Sequence, residues 1–372
     1  MLRISIKAVL ELTKLPHIPS QLTYSRLSEL SPSRYTSIAK GCAYSFLMQQ
    51  ALLSLGAPSR LMPPLSFKSV IGTIIHKVFE LVNKGLLNSS RNELKEFWKE
   101  EIKRQEQQIA ADYPSLMNLS IADYNAMFET IRVAEQMRPS ASSVLSPSSV
   151  IFHPNEHKVK IPGLLKGSID RVDSLSDGSY RIVDYKTGKI LEDDGSIKED
   201  YVSQLNLYAY LLEEQDHVRV SELAILDRMG TYISVPYYPE LKIDVFNKVR
   251  ALIERINTAV ETGRIEDLCI PSDGSCRFCS VAHLCKRRET SVDSPYRIIE
   301  GVVATIWNDD QLGVTTNDNT ITVAKLRSLN IEKEEWASLL GEKVIFVNLY
   351  QVIENQLYNR TDNTVIYIKD TL

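Results

Sequence analysis

The amino-acid sequence predicts an α/β protein made of a helical N-terminal region, a layer built on a central mixed sheet, and a small C-terminal β-barrel. Three observations lead there. Apolar residues recur at three- and four-residue spacing up to about residue 138. From about residue 150 to 265 the order becomes strand, strand, strand, helix, strand, which fits helices packed on a mixed sheet. From Arg297 onward the texture shifts to short runs rich in β-branched residues.

In order, helices are expected near 34–55, 66–86, 91–112 and 119–138. The Ser/Pro-rich stretch Pro139 to Ser149 reads as a loop. Strands follow near 156–161, 165–173 and 179–185, then a helix near 200–214. Two strands near 219–226 and 231–236 precede a helix near 240–262. Glu289 to Pro295 reads as a linker, which divides the chain into 1–288, a linker at 289–296, and 297–372. The last part holds five strand-like runs: RIIEGVVATI, LGVTT, TITVAKL, EKVIFVNLYQVI and TVIYI. A helical piece, Lys333 to Leu340, sits between the third and fourth, the layout of an OB-type barrel.

Composition narrows the function classes. At 372 residues, 44% hydrophobic and 24% charged, the chain has the make-up of a folded globular protein rather than a disordered one. A net charge of −4 gives no global basic excess, so any nucleic-acid site must be a local groove, with metal ions supplying positive charge. The opening run MLRISIKAVLELTKLPHIP is broken by Lys7, Glu11 and Lys14. It holds neither a signal-peptide core nor a membrane span, and a cytoplasmic location is expected. No G-x-x-x-x-G-K-[ST] phosphate loop occurs, so no NTPase motor is expected within the chain.

The sharpest chemical signal is Gly167-Ser-Ile-Asp170-Arg-Val-Asp173 followed by Tyr180-Arg-Ile-Val-Asp184-Tyr-Lys186-Thr-Gly188. Side chains alternate along a strand, so Asp184 and Lys186 share a face and Tyr185 takes the other. A carboxylate two residues from an ammonium lets one hold a cation while the other addresses water or phosphate. Asp170 joins them only if the hairpin loop is odd. A two-residue Asp177-Gly178 turn would set Asp170 opposite Tyr185, whereas the three-residue loop Ser176-Asp177-Gly178 sets it opposite Asp184. Two facing carboxylates repel unless a cation lies between them, so the three-residue loop and a metal between the acids are expected. Upstream, Gly72-Thr-Ile-Ile-His76 puts a histidine on an amphipathic helix. Downstream, Gln204-Leu-Asn-Leu-Tyr208 puts a glutamine and a tyrosine on one helical face. Glu156 is a further candidate acid. Taken singly, each of these residues has an ordinary reading as core or solvated surface.

Five cysteines are too few for a disulfide scaffold at this length, and Cys269, Cys276, Cys279 and Cys285 lie within one short stretch. The spacing C-x2-C-x5-C from Cys276 to Cys285 gives three thiolates to one metal centre. The fourth ligand is open. Cys269 would complete a local four-thiolate site suited to zinc. Cys42 would instead staple the helical region to the end of the α/β layer, as a four-thiolate iron–sulfur cluster can.

Taken together and in this order, Gly72 to His76, Gly167 to Asp170, Asp184 to Lys186 and Gln204 to Tyr208 resemble the PD-(D/E)xK nucleases. They resemble in particular the RecB-like branch with AddB-type nuclease domains and the CRISPR-adaptation exonucleases. The resemblance covers about residues 31–286. It implies a restriction-endonuclease-like core, a DNA substrate, and Mn²⁺ or Mg²⁺ held by His76, Asp170, Asp184 and the carbonyl of Tyr185. Lys186 would orient water and stabilise charge on phosphorus, and Gln204 and Tyr208 would position substrate. The run Ser31-Pro-Ser-Arg34 with Gly41-Cys42 is similar to the opening of the iron–sulfur subgroup, which implies a 4Fe–4S cluster on Cys42, Cys276, Cys279 and Cys285. Ala43 stands where that subgroup often has proline. The function expected from the resemblance is a single-strand exonuclease in end processing, repair or defence against foreign DNA, with a separate helicase or defence-complex protein as partner through the C-terminal domain. The alternative is an inactive nuclease-fold scaffold that holds DNA or a helicase. Residues 297–372 carry seven Lys and Arg against eleven Asp and Glu. Protein docking is therefore expected there over DNA binding, despite Trp307, Tyr350, Tyr358 and Tyr367.

Overall fold

The computed structural model describes residues 17–18, 22–54, 62, 66–112, 120–121, 123–137, 157–272, 275–276, 279–288, 296–308, 310–317, 319–326, 337–361 and 364–369. The expected loop 139–149, the linker core 289–295, Glu156 and the first half of the helical piece 333–340 lie outside the described residues.

A short strand β1 (His17–Ile18) opens the described chain, and helices α1 (Pro32–Lys40), α2 (Ala43–Ser54), α3 (Phe67–Asn83), α4 (Arg91–Asp112) and α5 (Tyr124–Gln136) follow. The helix expected over 34–55 is two helices. Ser31 caps α1 by accepting the Arg34 N–H at 3.2 Å, and the chain breaks at Gly41-Cys42 before α2 resumes. That break leaves Cys42 in a turn rather than on a helix face.

Strands β2 (His157–Ile161) and β3 (Leu165–Ile169) pair antiparallel. Beyond Asp170 the chain enters β4 (Arg171–Ser174) and β5 (Tyr180–Lys186), the first two strands of a second sheet. The single strand expected over 165–173 is thus two strands, because the chain leaves one sheet for the other at Asp170. Helix α6 (Glu199–Asp216) carries the chain from β5 to β6 (Val220–Asp227), which lies parallel to β5, and β7 (Tyr232–Val235) closes the edge antiparallel. The four-stranded sheet β4-β5-β6-β7 is therefore mixed. Helix α6 is buried along its whole middle, from Gln204 to Leu212, the mark of a helix enclosed on all sides. Helix α7 (Lys242–Glu261) follows, and its Asn257 side chain pins the N-terminal segment. Asn257 accepts the Leu27 N–H at 2.7 Å and donates to the Leu27 carbonyl at 3.0 Å.

The C-terminal strands are β8 (Tyr296–Asn308), β9 (Gln311–Thr315), β10 (Thr320–Ala324), β11 (Lys343–Ile353), β12 (Leu357–Asn359) and β13 (Val365–Lys369). Pairing runs β8-β9-β10-β12-β11 and returns from β11 to β8, a closed five-stranded barrel with β10 and β12 parallel. One expectation is corrected. The run TVIYI is not the closing strand of the barrel; the short β12 is. The TVIYI strand, β13, lies instead outside it, antiparallel to β11 and parallel to β1. Strand β11 is long enough to pair β13 with one half of its edge and β12 with the other. Among the described residues no helix is long and apolar enough to cross a membrane.

Candidate active site

The β4–β5 hairpin sets the geometry. Arg171 pairs with Val183 and Ser174 with Tyr180, so the register puts Asp170 across from Asp184. The Leu175 N–H donates to the Ser179 carbonyl at 2.7 Å and closes the three-residue loop Ser176-Asp177-Gly178. Gly178 has φ +79, a left-handed value that costs other residues about 1–2 kcal/mol. The odd loop expected from the sequence is the one present.

Asp184 and Lys186 lie on one face, with Lys186 Nζ 2.6 Å from Asp184 Oδ2. Gln204 reaches both from α6: its Oε1 accepts from Lys186 Nζ at 3.3 Å, and its Nε2 donates to Asp184 Oδ1 at 3.4 Å. Asp170 Oδ2 accepts the Tyr185 backbone N–H at 2.8 Å. His76, on α3, points Nδ1 at the same oxygen from 3.7 Å. Tyr185 turns away into the core, edge-on to Phe79 and His76. Tyr208 lies one turn beyond Gln204 on α6. Its ring packs on Gly167, where an added Cβ would meet Tyr208 Cε1 at 2.8 Å and Pro32 Cδ at 3.1 Å. The glycine and the tyrosine of the two motifs are thus one contact, which seats α6 against β3.

One residue was missed. The Tyr201 ring lies 5.0 Å from Lys186 Nζ, close enough for a cation–π contact. Its signal was legible: Tyr201 stands one helical turn before Gln204, on the same face.

The electrostatics follow from burial. Removal from water pushes the Asp184 carboxyl up to about 6; Lys186 opposes the rise, Asp170 adds to it, and His76 opposes it. Burial also holds His76 below the ordinary imidazole value, so at neutral pH the ring is neutral and keeps a lone pair for a ligand. Asp184 Oδ2 touches the Lys186 ammonium but has no aligned hydrogen-bond donor among the described residues. A buried carboxylate oxygen with an unused lone pair, a second carboxylate and a neutral imidazole form a donor set that suits Mg²⁺ or, with its nitrogen, Mn²⁺. The set is not preassembled. Among the described residues no three His, Cys, Asp or Glu side chains converge closely enough to hold an ion.

The cysteines form a second constellation. All five line one small cavity, together with Met48 and Arg288. Contact of α2 with the turn Ile265–Leu268 brings Cys42 there, and its Sγ lies 4.0 Å from the Leu268 carbonyl. Cys269, set apart as free in the iron–sulfur expectation, faces the same cavity, 3.9 Å from Cys285 Sγ. Burial pushes the Cys269 thiol up to about 12 and the Cys279 thiol up to about 11, with neighbouring sulfurs adding to both.

An α/β core whose reaction strand carries an acid and a lysine on one face defines a class of phosphodiester-cleaving folds. The chain belongs to the PD-(D/E)XK nuclease superfamily, whose family model matches residues 29–286. Members of this superfamily generally use Mg²⁺ or Mn²⁺. Among solved structures, a protein from Eubacterium rectale, provisionally described as an exonuclease, is similar at 15% identity and a TM-score of 0.38. That match covers 72% of this chain and 91% of the other. The protein SSO0001 is similar at 15% identity and a TM-score of 0.25, over 50% of this chain and 82% of its own. No curated protein matches the sequence.

Replacing Gly167 with Ala forces its Cβ into Tyr208 and Pro32. We expect a loss of about 1–3 kcal/mol of stability, read as a lower urea midpoint with an unchanged slope.

Proposed function

We propose that this protein is a divalent-metal-dependent DNA nuclease of the RecB-like branch, cutting single strands from an end in DNA repair or in defence against foreign DNA. The observation that carries the reading is the register of one hairpin: it sets Asp170 across from Asp184, with Lys186 on the same face and His76 alongside. A scaffold has no chemical need to bury a carboxylate against an ammonium at the cost of its hydration.

In this reading His76, Asp170, Asp184 and the Tyr185 carbonyl hold Mn²⁺ or Mg²⁺, and the bound ion supplies positive charge against the scissile phosphate. Lys186 directs its ammonium at the phosphoryl oxygens and stabilises charge that develops there. Gln204 bridges Asp184 and Lys186 and fixes their spacing, while Tyr201 backs the ammonium from behind. Tyr208 acts through α6, holding Gln204 in place by its seat on Gly167.

The same reading puts a 4Fe–4S cluster on Cys42, Cys276, Cys279 and Cys285. Their common cavity supports it, as does Arg288 on the cavity wall, a cation beside a site that thiolates would make anionic. Cys269 in that cavity keeps a zinc site through Cys269, Cys276, Cys279 and Cys285 as the rival. We assign residues 1–288 to the nuclease unit and the acidic residues 297–372 to docking of a separate protein such as a helicase. A cytoplasmic location accords with this reading.

Labelled single-stranded DNA is expected to be degraded in Mn²⁺. Lys186→Ala should lower the rate at least about 100-fold while leaving the cysteine site intact; equal rates for the two proteins would leave the scaffold reading standing. Linear and circular strands compared in the same assay separate attack at ends from internal cleavage. The pH dependence has a definite sign. Only the carboxylate form of Asp184 binds the cation, and its raised pKa lets protons compete up to about pH 6. Calorimetric Mn²⁺ affinity should therefore rise as pH increases towards about 6 and level off above; a flat profile there would remove Asp184 from the ligand set. Protein purified without air should be brown, and Cys276→Ser should lose iron and solubility together, whereas a colourless, zinc-bearing protein would favour the Cys269 set.

A further inference from the structure

Beside the reaction strand lies a second, much larger depression of about 600 Å³. One wall is the first turns of α3, with Phe67, Lys68 and Gly72; the other includes Thr187, Gly188 and Lys189, the residues that directly follow Lys186. Ile121 from the segment before α5 and Arg228 from the end of the sheet complete it. Gly72 and Thr187 nearly touch: a Cβ at Gly72 would meet Thr187 Oγ1 at 2.9 Å. Because Thr187 directly follows Lys186, the depression borders the strand end that bears Lys186.

We infer that this groove holds the backbone of a single nucleic-acid strand next to the bond being cut, with Lys68, Lys189 and Arg228 as phosphate contacts. The inference rests on the nuclease reading and adds to it the residues that select a single strand. Three arguments carry it. First, a chain with a net charge of −4 cannot attract a polyanion by its overall field, so a groove with three cations beside the acids stands out. Second, the cations are available. Lys68 is exposed, Lys189 pairs, among the described residues, with the exposed Asp193, and Arg228 lies 3.6 Å from Glu129. The exposed Lys189–Asp193 pair is weak and gives way to a phosphate, and the half-exposed Arg228 guanidinium has donors left beyond its long contact with Glu129. The groove's carboxylate, Asp123, is engaged with its own helix, where Oδ1 accepts the Ala126 N–H at 2.9 Å. Third, the cations alternate with apolar surface. Phe67, next to Lys68 in the lining, is only partly buried. A duplex keeps its bases inside and cannot use such a wall, whereas a single strand can lay a base on an aromatic ring.

The experiment is fluorescence anisotropy with a labelled oligonucleotide, single-stranded or duplex, on the full chain in EDTA over a range of salt. The combined variant Lys68→Ala, Lys189→Ala, Arg228→Ala is compared with the wild type, and its thermal melt confirms folding. Wild type should bind the single strand at least tenfold more tightly than the duplex. The triple variant should lose at least tenfold in single-strand affinity, and its log–log salt slope should shrink by about two, since each lost phosphate contact removes about 0.7 on a single strand. Phe67→Leu should narrow the preference over duplex. Unchanged affinity and slope in the triple variant, or equal binding of duplex by the wild type, overturns the groove assignment. Cleavage by Lys186→Ala, run alongside, reports separately on the nuclease reading: its loss with unaltered binding by the triple variant discards the groove and keeps the nuclease.

Discussion

The arrangement at the centre of this protein depends on a contact that water would normally weaken: a buried aspartate held against a lysine ammonium on the same strand. Asp184 is 5% exposed, and removal from solvent penalises its charge more than its neighbours relieve it. The contact with Lys186 therefore stands in for lost hydration, and Gln204 adds one hydrogen bond to each of the two from α6. A divalent cation would relieve the same electrostatic penalty more fully, by neutralising two facing carboxylates rather than one. Two facing acids against one ammonium leave a charge imbalance that a cation would correct.

Holding that imbalance requires a rigid frame, and the packing provides one. Helix α6 is enclosed from Gln204 to Leu212, so Gln204 cannot drift without moving a core helix. The Tyr208 ring fills the space above Gly167, which ties the helix to the strand that leads into Asp170. Tyr185, between the two functional residues of β5, is buried against Phe79 of the helix that carries His76. Each group at the site is one residue or one turn away from a core contact, and packing energy is thereby converted into positional accuracy.

The cysteine cavity does similar work at longer range. Cys42 lies 226 residues from Leu268 in sequence and near it in space, while Asn257 fastens the preceding segment to α7. Any metal centre there closes a loop that includes the whole reaction site, and closing so long a loop removes much unfolded-state entropy. The barrel meets this region as well: His283 stacks on Tyr367 of β13 at 4.7 Å, so the C-terminal strands pack against the cysteine segment.

The sequence by itself determined what is periodic or local. Alternation along β5 put Asp184 and Lys186 on one face, helical spacing put Gln204 and Tyr208 together, and Gly178 fixed a hairpin loop whose length decides the partner of Asp170. Local chemistry is enough for these because side-chain direction repeats every two residues in a strand and about every 3.6 in a helix. Only the tertiary structure decided the rest. It split the strand at Asp170 between two sheets, drew Cys269 into the cavity of the other cysteines, brought Tyr201 behind Lys186, and gave the closing place in the barrel to β12 instead of β13. These outcomes depend on which surfaces meet across long separations, and no periodic pattern within a segment encodes the identity of its distant neighbour.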